Sequence, residues 1–194
     1  MSKLTKNSSS FDSLCIPKES KLGSDETLKT CKVETPIGEM IAISDDDYLY
    51  VLQNVDSKRL QSNLRQLKND TSKDLVIGET KILANLKKEM SLYFEGKLKE
   101  WTIPLKFIGT DFQKECWTQL GTLGFGETMT YGQLASQLGK GPRYSRAVGS
   151  AAGANPLLLL VPCHRLVASG AQGGFSAGKD RKTFLMGHEQ KYKN

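Results

Sequence analysis

The sequence predicts an α+β fold, a small N-terminal α/β domain followed by a mostly helical domain that carries a reactive cysteine. Three observations lead there. Met40–Ile43 and Tyr48–Leu52 are short aliphatic and aromatic runs flanking Ser44-Asp45-Asp46-Asp47, the pattern of a β-hairpin. Ile82, Leu83, Leu86, Met90, Tyr93 and Phe94 recur at helical spacing from about Thr80 onward. Beyond Gly109-Thr110 the periodic segments are helical, so strands come first and helices later. The 194 residues allow one domain or two small ones.

Taken in order, residues 1–29 are polar and aperiodic and read as a flexible tail. From Lys32 to Val55 the pattern is strand-like, and residues 58–68 form a short amphipathic helix with Leu60, Leu64 and Leu67 on one side. The Thr80–Phe94 helix stops at Gly96, and Trp101–Leu105 is extended because Pro104 disfavours helix before it. Gly109 marks a boundary, giving domains at 30–108 and 109–194. Thr110 or Asp111 caps the next helix, which buries Phe112, Cys116, Trp117 and Leu120. Thr128–Gly139 is a capped helix, Lys140-Gly141-Pro142 a turn, and Arg143–Ala152 a second helix. That is the outline of a helix-turn-helix, although any αα-hairpin shares it.

Charge is distributed unevenly. Residues 1–110 carry 17 basic and 16 acidic side chains, whereas residues 111–194 carry 10 and 5. A basic C-terminal half points towards a polyanionic partner such as nucleic acid. No apolar run approaches the ~20 residues needed to span a bilayer, and Met1–Ser10 lacks the apolar stretch of a secretion signal. The four cysteines are widely spaced and only His164 and His188 are histidines, so neither a disulfide framework nor a four-ligand zinc site is expected. An intracellular protein without membrane contact, metal or cofactor is the expectation.

Two segments carry chemistry. Ser145–Ala154 has Val148 as its one large aliphatic residue, so its backbone is open to close approach by another helix or by a nucleic-acid groove. Arg146 stands alone among small side chains, which suits sequence-tolerant docking better than base-edge reading. Leu157–Val161 is a short apolar run, read as a buried strand or core segment, that delivers Pro162-Cys163-His164-Arg165. A thiol beside an imidazole outlines a nucleophile, with His164 as base and Arg165 as nearby positive charge. Successive strand residues point to opposite faces, so contact needs a turn at Pro162 or a bridging water. A structural cysteine beside an unrelated histidine is the other reading of the bare pair.

Pro162-Cys163-His164-Arg165, with Asn155 upstream and Arg146-Ala147-Val148-Gly149 before it, resembles the methylated-DNA–protein-cysteine methyltransferases, also called 6-O-methylguanine-DNA methyltransferases. The likeness extends through Gly109–Gln113, Thr130–Ala135, Gly174-Phe175-Ser176 and Leu185–Glu189. It implies a ribonuclease-H-like N-terminal domain and a winged-helix-like C-terminal domain for DNA binding and alkyl acceptance. It also implies irreversible, single-use transfer of an alkyl group from O6-alkylguanine, and from O4-alkylthymine, to Cys163, without a cofactor. His164 would take the thiol proton through a water, oriented by Glu189, and Tyr131 would protonate the departing base. Ser145, Arg146, Ala147, Gly149 and Asn155 would serve DNA binding, with Arg146 filling the gap left by an extruded nucleotide and Asn155 linking that helix to the reactive strand. Tyr131, Leu166, Phe175 and Ser176 would form the substrate pocket. The partner would be double-stranded DNA containing alkylated guanine, met by a monomer with cooperative binding left open, in the nucleus of a eukaryote or the cytoplasm of a bacterium.

Phe175 and Ala177 depart from the family, where some members carry Tyr and many carry Gly. Some members bind zinc in the N-terminal domain, but no histidine precedes residue 164 here, so no such site is expected. Two other functions stay in play: a lesion-binding relative without transfer, which the presence of Cys163 disfavours, and a cysteine hydrolase, which leaves the small-residue helix unexplained.

Overall fold

The computed structural model describes residues 27–194. Most of the expected tail, residues 1–26, lies outside the described residues. Its last three expected residues do not belong to a tail, because β1 (Thr27–Val33) begins at Thr27. The hairpin is present as β2 (Met40–Ser44) and β3 (Leu49–Asn54), followed by α1 (Leu60–Thr71) and β4 (Asp74–Ile77). The sheet runs β3-β2-β1-β4, antiparallel except for the parallel β1–β4 pair. Neither β1 nor β4 stands out by alternation. β4 is four residues long and gains its ladder from β1, far upstream, in the register Thr27 opposite Asp74.

Alternation on β2 divides the core. Ile41 and Ile43 face α1 through Leu60, Leu64 and Leu67, whereas Met40 and Ala42 belong to the larger cluster on the other face. That cluster takes in Ile82, Leu83 and Leu86 of α2 (Lys81–Phe94) and continues across Gly109 into the C-terminal half. Thr80 caps α2, its hydroxyl accepting from Leu83 N at 3.0 Å.

The C-terminal half comprises α3 (Asp111–Leu120), β5 (Met129–Thr130), α4 (Tyr131–Gln137), a 3₁₀ turn (Pro142–Tyr144) and α5 (Ser145–Gly153). After a second 3₁₀ turn (Cys163–Arg165) come β6 (Leu166–Val167), parallel to β5, and α6 (Lys179–Lys191). Thr110 and Thr130 each head a reciprocal capping box with the glutamine three residues on. The expected Arg143–Ala152 helix therefore starts as a 3₁₀ turn, because Pro142 fixes its first residue and Ser145 opens the α-helix. Trp117 of α3 fastens α5, its indole donating to Ala151 O at 2.9 Å.

The two halves are stitched by α6. Arg181 donates to Ile37 O at 2.7 Å and Ala177 O at 2.9 Å and pairs with Asp56 at 2.8 Å. Gly96, at φ +76°, ends α2 so close to α6 that an added Cβ would lie 2.3 Å from the Tyr192 ring. Gly96→Ala is therefore expected to destabilise the protein for two separable reasons, about 1 kcal/mol of left-handed backbone strain and the ring clash. Urea unfolding of Gly96→Ala, with and without Tyr192→Ala, measures both; the ring contribution should vanish in the double variant.

Candidate active site

Asn155 builds the turn that presents the cysteine. Its Oδ1 accepts from Leu157 N at 2.9 Å, and its Nδ2 donates to Val161 O at 2.8 Å and to Cys163 Sγ at 3.1 Å. Leu157–Val161 is consequently a compact turn and not the strand that was one expectation; Val161 N returns to Leu157 O at 2.9 Å, and Leu159 sits at φ +72°. The apolar run was legible, but its conformation depends on a side-chain amide satisfying backbone groups from both ends of the turn. Asn155 is fully buried, so its side chain does not contact a duplex directly as a DNA-binding residue would; its bonds lie within the reactive turn, where the implied link to that segment places it.

Cys163 opens a 3₁₀ turn, with Arg165 N donating to Pro162 O at 2.9 Å. It lines a cavity of about 130 Å³ together with Tyr131, Gly149, Ala152, Gly153, Gly174, Phe175 and Ser176. Tyr131 O–H donates to Gly174 O at 3.4 Å. Gly173, at φ +76°, lets this lip close in, since a Cβ there would lie 2.9 Å from the Tyr131 hydroxyl. The Ser176 hydroxyl is buried without a hydrogen-bond partner in a wall of this cavity. Leu166 does not line the cavity: its side chain is fully buried and its carbonyl accepts from Lys182 Nζ. Phe175 meets the His164 ring edge-on at 6.3 Å. Ala177 is buried behind the lining.

His164 Nε2 lies 2.7 Å from Glu189 Oε1, and His164 Nδ1 is buried with no partner. Glu189 also accepts from Tyr93 O–H at 2.8 Å, Gly126 N at 3.0 Å, and Arg165 Nε and Nη2 at 2.8 and 2.9 Å. Burial opposes its ionisation, but the hydrogen bonds and positive charge of His164 and Arg165 prevail and hold it far below the usual carboxylate range. An ionised Glu189 requires Nε2 to carry the imidazole proton, leaving Nδ1 as a lone-pair acceptor. Burial lowers the His164 pKa, despite Glu189, so the ring is a neutral base near pH 7.

Arg165 does not supply charge to the thiol, as its adjacency suggested; its guanidinium is committed to Glu189 and Leu123 O. The cation acting on Cys163 is Lys182, fully buried and donating to Leu166 O and to Gly174 O at 3.0 Å. The sequence carried a signal for it: Lys182, Leu185 and Glu189 share one face of α6 at i, i+3, i+7, and all three are buried. Burial pushes the Cys163 thiol up to about 11, against the opposing effects of the Asn155 hydrogen bond and Lys182. The resting group is a neutral thiol.

On α5, Val148, Ala151 and Ala152 face inward, Arg146, Ala147 and Ser150 are exposed, and Ser145 and Gly149 are half-buried. Ser145 Oγ donates to Pro142 O at 2.5 Å, which joins the 3₁₀ turn to the helix. The small-residue face thus borders the cavity mouth through Gly149 and Gly153. Among the described residues no cluster could hold a metal ion, and no helix is long and apolar enough to cross a membrane.

A buried thiol and a neutral imidazole on one turn, opening beside a helix-turn-helix, combine the groups of a cysteine nucleophile with a helix face open to a ligand. Comparison with known proteins makes the class particular. Residues 111–191 match the model of the 6-O-methylguanine DNA methyltransferase DNA-binding domain. Methylated-DNA–protein-cysteine methyltransferases are 35% identical in Mycolicibacterium paratuberculosis (82% of this chain, 91% of the relative) and 37% identical in Shigella flexneri (81% and 93%). The crystal structure of Mycobacterium tuberculosis OGT in complex with DNA superposes with a TM-score of 0.73 at 28% identity, covering 84% of this chain and 94% of that one. The chain belongs to the methylated-DNA–protein-cysteine methyltransferase family.

Glu189 carries a testable consequence. Its folded pKa is depressed, so its stabilisation is complete above the unfolded value of about 4.3 and is lost as pH falls towards the folded value. Glu189→Gln, which leaves Arg165 buried without its carboxylate, should cost about 3 kcal/mol near pH 7. It should also flatten the stability loss between about pH 5 and pH 3. Urea unfolding across that range measures both, and parallel pH profiles for variant and parent would contradict the assignment.

Proposed function

We propose that this protein repairs DNA by moving the alkyl group of O6-alkylguanine onto Cys163. The observation that carries this is the Cys163 thiol, held by Asn155 in a cavity that opens onto the small-residue face of α5 and contains the unpartnered Ser176 hydroxyl. Family membership and the DNA-bound relative support it. Cys163 is only 5% exposed, so an alkylated base stacked in a duplex cannot reach it and must be extruded. Extrusion costs a few kcal/mol, less for a weakly paired damaged base. Arg146, exposed at the start of α5, fills the vacated stack while Ala147, Gly149 and Ser150 let the helix lie close in the minor groove.

In the pocket, Ser176 O–H donates to guanine O6 and Phe175 packs on the ring. Sγ attacks the alkyl carbon in line, so the S–C bond forms as the C–O6 bond breaks. The thiol proton passes through a water to His164 Nδ1, whose imidazolium Glu189 stabilises. Tyr131 donates a proton to the guanine ring, so the base leaves with as many protons as the thiol gave up, and solvent returns the His164 proton to the tyrosinate. The thioether is not reversed, so each molecule acts once. Alkyl on O4 of thymine presents the same carbon–oxygen bond and is proposed as a second substrate. Residues 109–194 do this work and the sheet-bearing half, 27–108, supports them.

Mixing the protein with duplex containing O6-methylguanine should add one methyl mass to the Cys163 peptide, one per molecule, and none in Cys163→Ser. An unmodified Cys163 in folded, DNA-bound protein rejects the proposal. Arg146→Ala should slow transfer at least tenfold on duplex and much less on single strands, where no stack needs refilling; equal losses on both would remove its wedge role.

A further inference from the structure

The N-terminal half is docked on the turn that carries Cys163. Gln53, on β3, is fully buried, and its amide donates to Asn155 O at 2.6 Å. Leu52, its neighbour on the same strand, holds the next residues of the turn: Leu52 N donates to Pro156 O at 2.8 Å and Leu158 N to Leu52 O at 3.0 Å. The backbone that carries the Asn155 side chain is thus docked on β3. That side chain donates to Val161 O and to Cys163 Sγ at 3.1 Å.

We propose that Gln53 is a positioning residue for alkyl transfer, holding the Asn155 backbone so that the Asn155 amide stays on the Cys163 sulfur. This rests on Cys163 being the acceptor. An N–H aimed at sulfur favours thiolate over thiol because a donor to an ionised acceptor bonds more strongly than to a neutral one. The bond weakens steeply with misalignment, so a small rotation of the 155 peptide is enough to lose it. Filling space does not explain a glutamine at this place. Its Oε1 is buried without a partner, and an apolar side chain would avoid that desolvation cost. What the glutamine alone supplies is a donor to a carbonyl that would otherwise be buried unpaired.

The other titratable groups facing the thiol are Lys182 from α6 and Tyr131 from α4, with His164 next to it on the same turn, and none of the three contacts Gln53 through a hydrogen bond. Gln53→Leu and Gln53→Met keep the volume and remove the donor, the second also keeping side-chain length in case leucine prevents folding. Iodoacetamide labelling of Cys163, read from its peptide mass between about pH 6 and pH 9, reports thiolate without requiring DNA. We expect labelling about tenfold slower at pH 8, with the rate profile displaced upward by about one pH unit. Methyl transfer from O6-methylguanine duplex should slow in parallel while DNA affinity holds. Ile82→Val, which trims the buried side of α2 and leaves β3 untouched, should lower the melting temperature by a few degrees (~2–4 °C) and leave the profile in place. A purely structural Gln53 would loosen the site and speed labelling; faster labelling or an unmoved profile in a folded variant overturns the proposal. Failure of the parent protein to take up methyl from duplex, with Cys163 labelling normal, would instead fail the functional reading.

Discussion

Glu189 is the residue on which most of this molecule converges. Its carboxylate accepts five hydrogen bonds, from α2 through Tyr93, from the loop before β5 through Gly126, and from both His164 and Arg165 of the reactive turn. A buried carboxylate is tolerated only when its lone pairs are satisfied and its charge is compensated, and Arg165 does both with two nitrogens. The same arrangement fixes the His164 tautomer. Structure and chemistry therefore share one charge: the interaction that packs α6 against the core also leaves Nδ1 of the histidine free to accept a proton.

The thiol is governed by opposed effects. Burial pushes Cys163 towards the neutral form, while Asn155 and Lys182 favour the thiolate. A resting thiol that is neutral and only slightly exposed reacts slowly with solvent-borne electrophiles. It becomes a nucleophile when a base sits close enough to take its proton. Lys182 contributes without a carboxylate hydrogen-bonded to it; its donors go to Leu166 O and Gly174 O, so its field is not cancelled at close range. It also ties β6 to the Gly174 lip, whose carbonyl receives the Tyr131 hydroxyl. The residues that shape the cavity and those that bias the sulfur are thus partly the same.

Much was legible in the chain because the signals were local. The β2–β3 hairpin, the α2 periodicity and the Thr110 cap each arise from residues within a few positions of one another. Cys163, His164 and Tyr131 were singled out by a family pattern, and they do lie around one cavity and one buried network. Less was legible where partners are distant. β4 was missed because four residues pair with a strand far upstream. The Leu157–Val161 run was read as strand or core, and its turn is set by Asn155 and by β3. Arg165 lies beside Cys163 in sequence but serves Glu189, because adjacency in sequence says nothing about where a long side chain ends.

By itself the sequence determined the local elements, the basic C-terminal half, the small-residue face of α5 and the residue types that handle a proton and a nucleophile. These follow from spacing, capping and composition, which act over one or two turns of chain. Tertiary structure decided which charge faces which group: Lys182 and Asn155 towards the sulfur, Arg165 towards Glu189, Gln53 from the sheet to the reactive turn. Hydrogen bonds and charges in a buried site depend on positions to within a few tenths of an ångström, and those positions exist only once distant segments have packed.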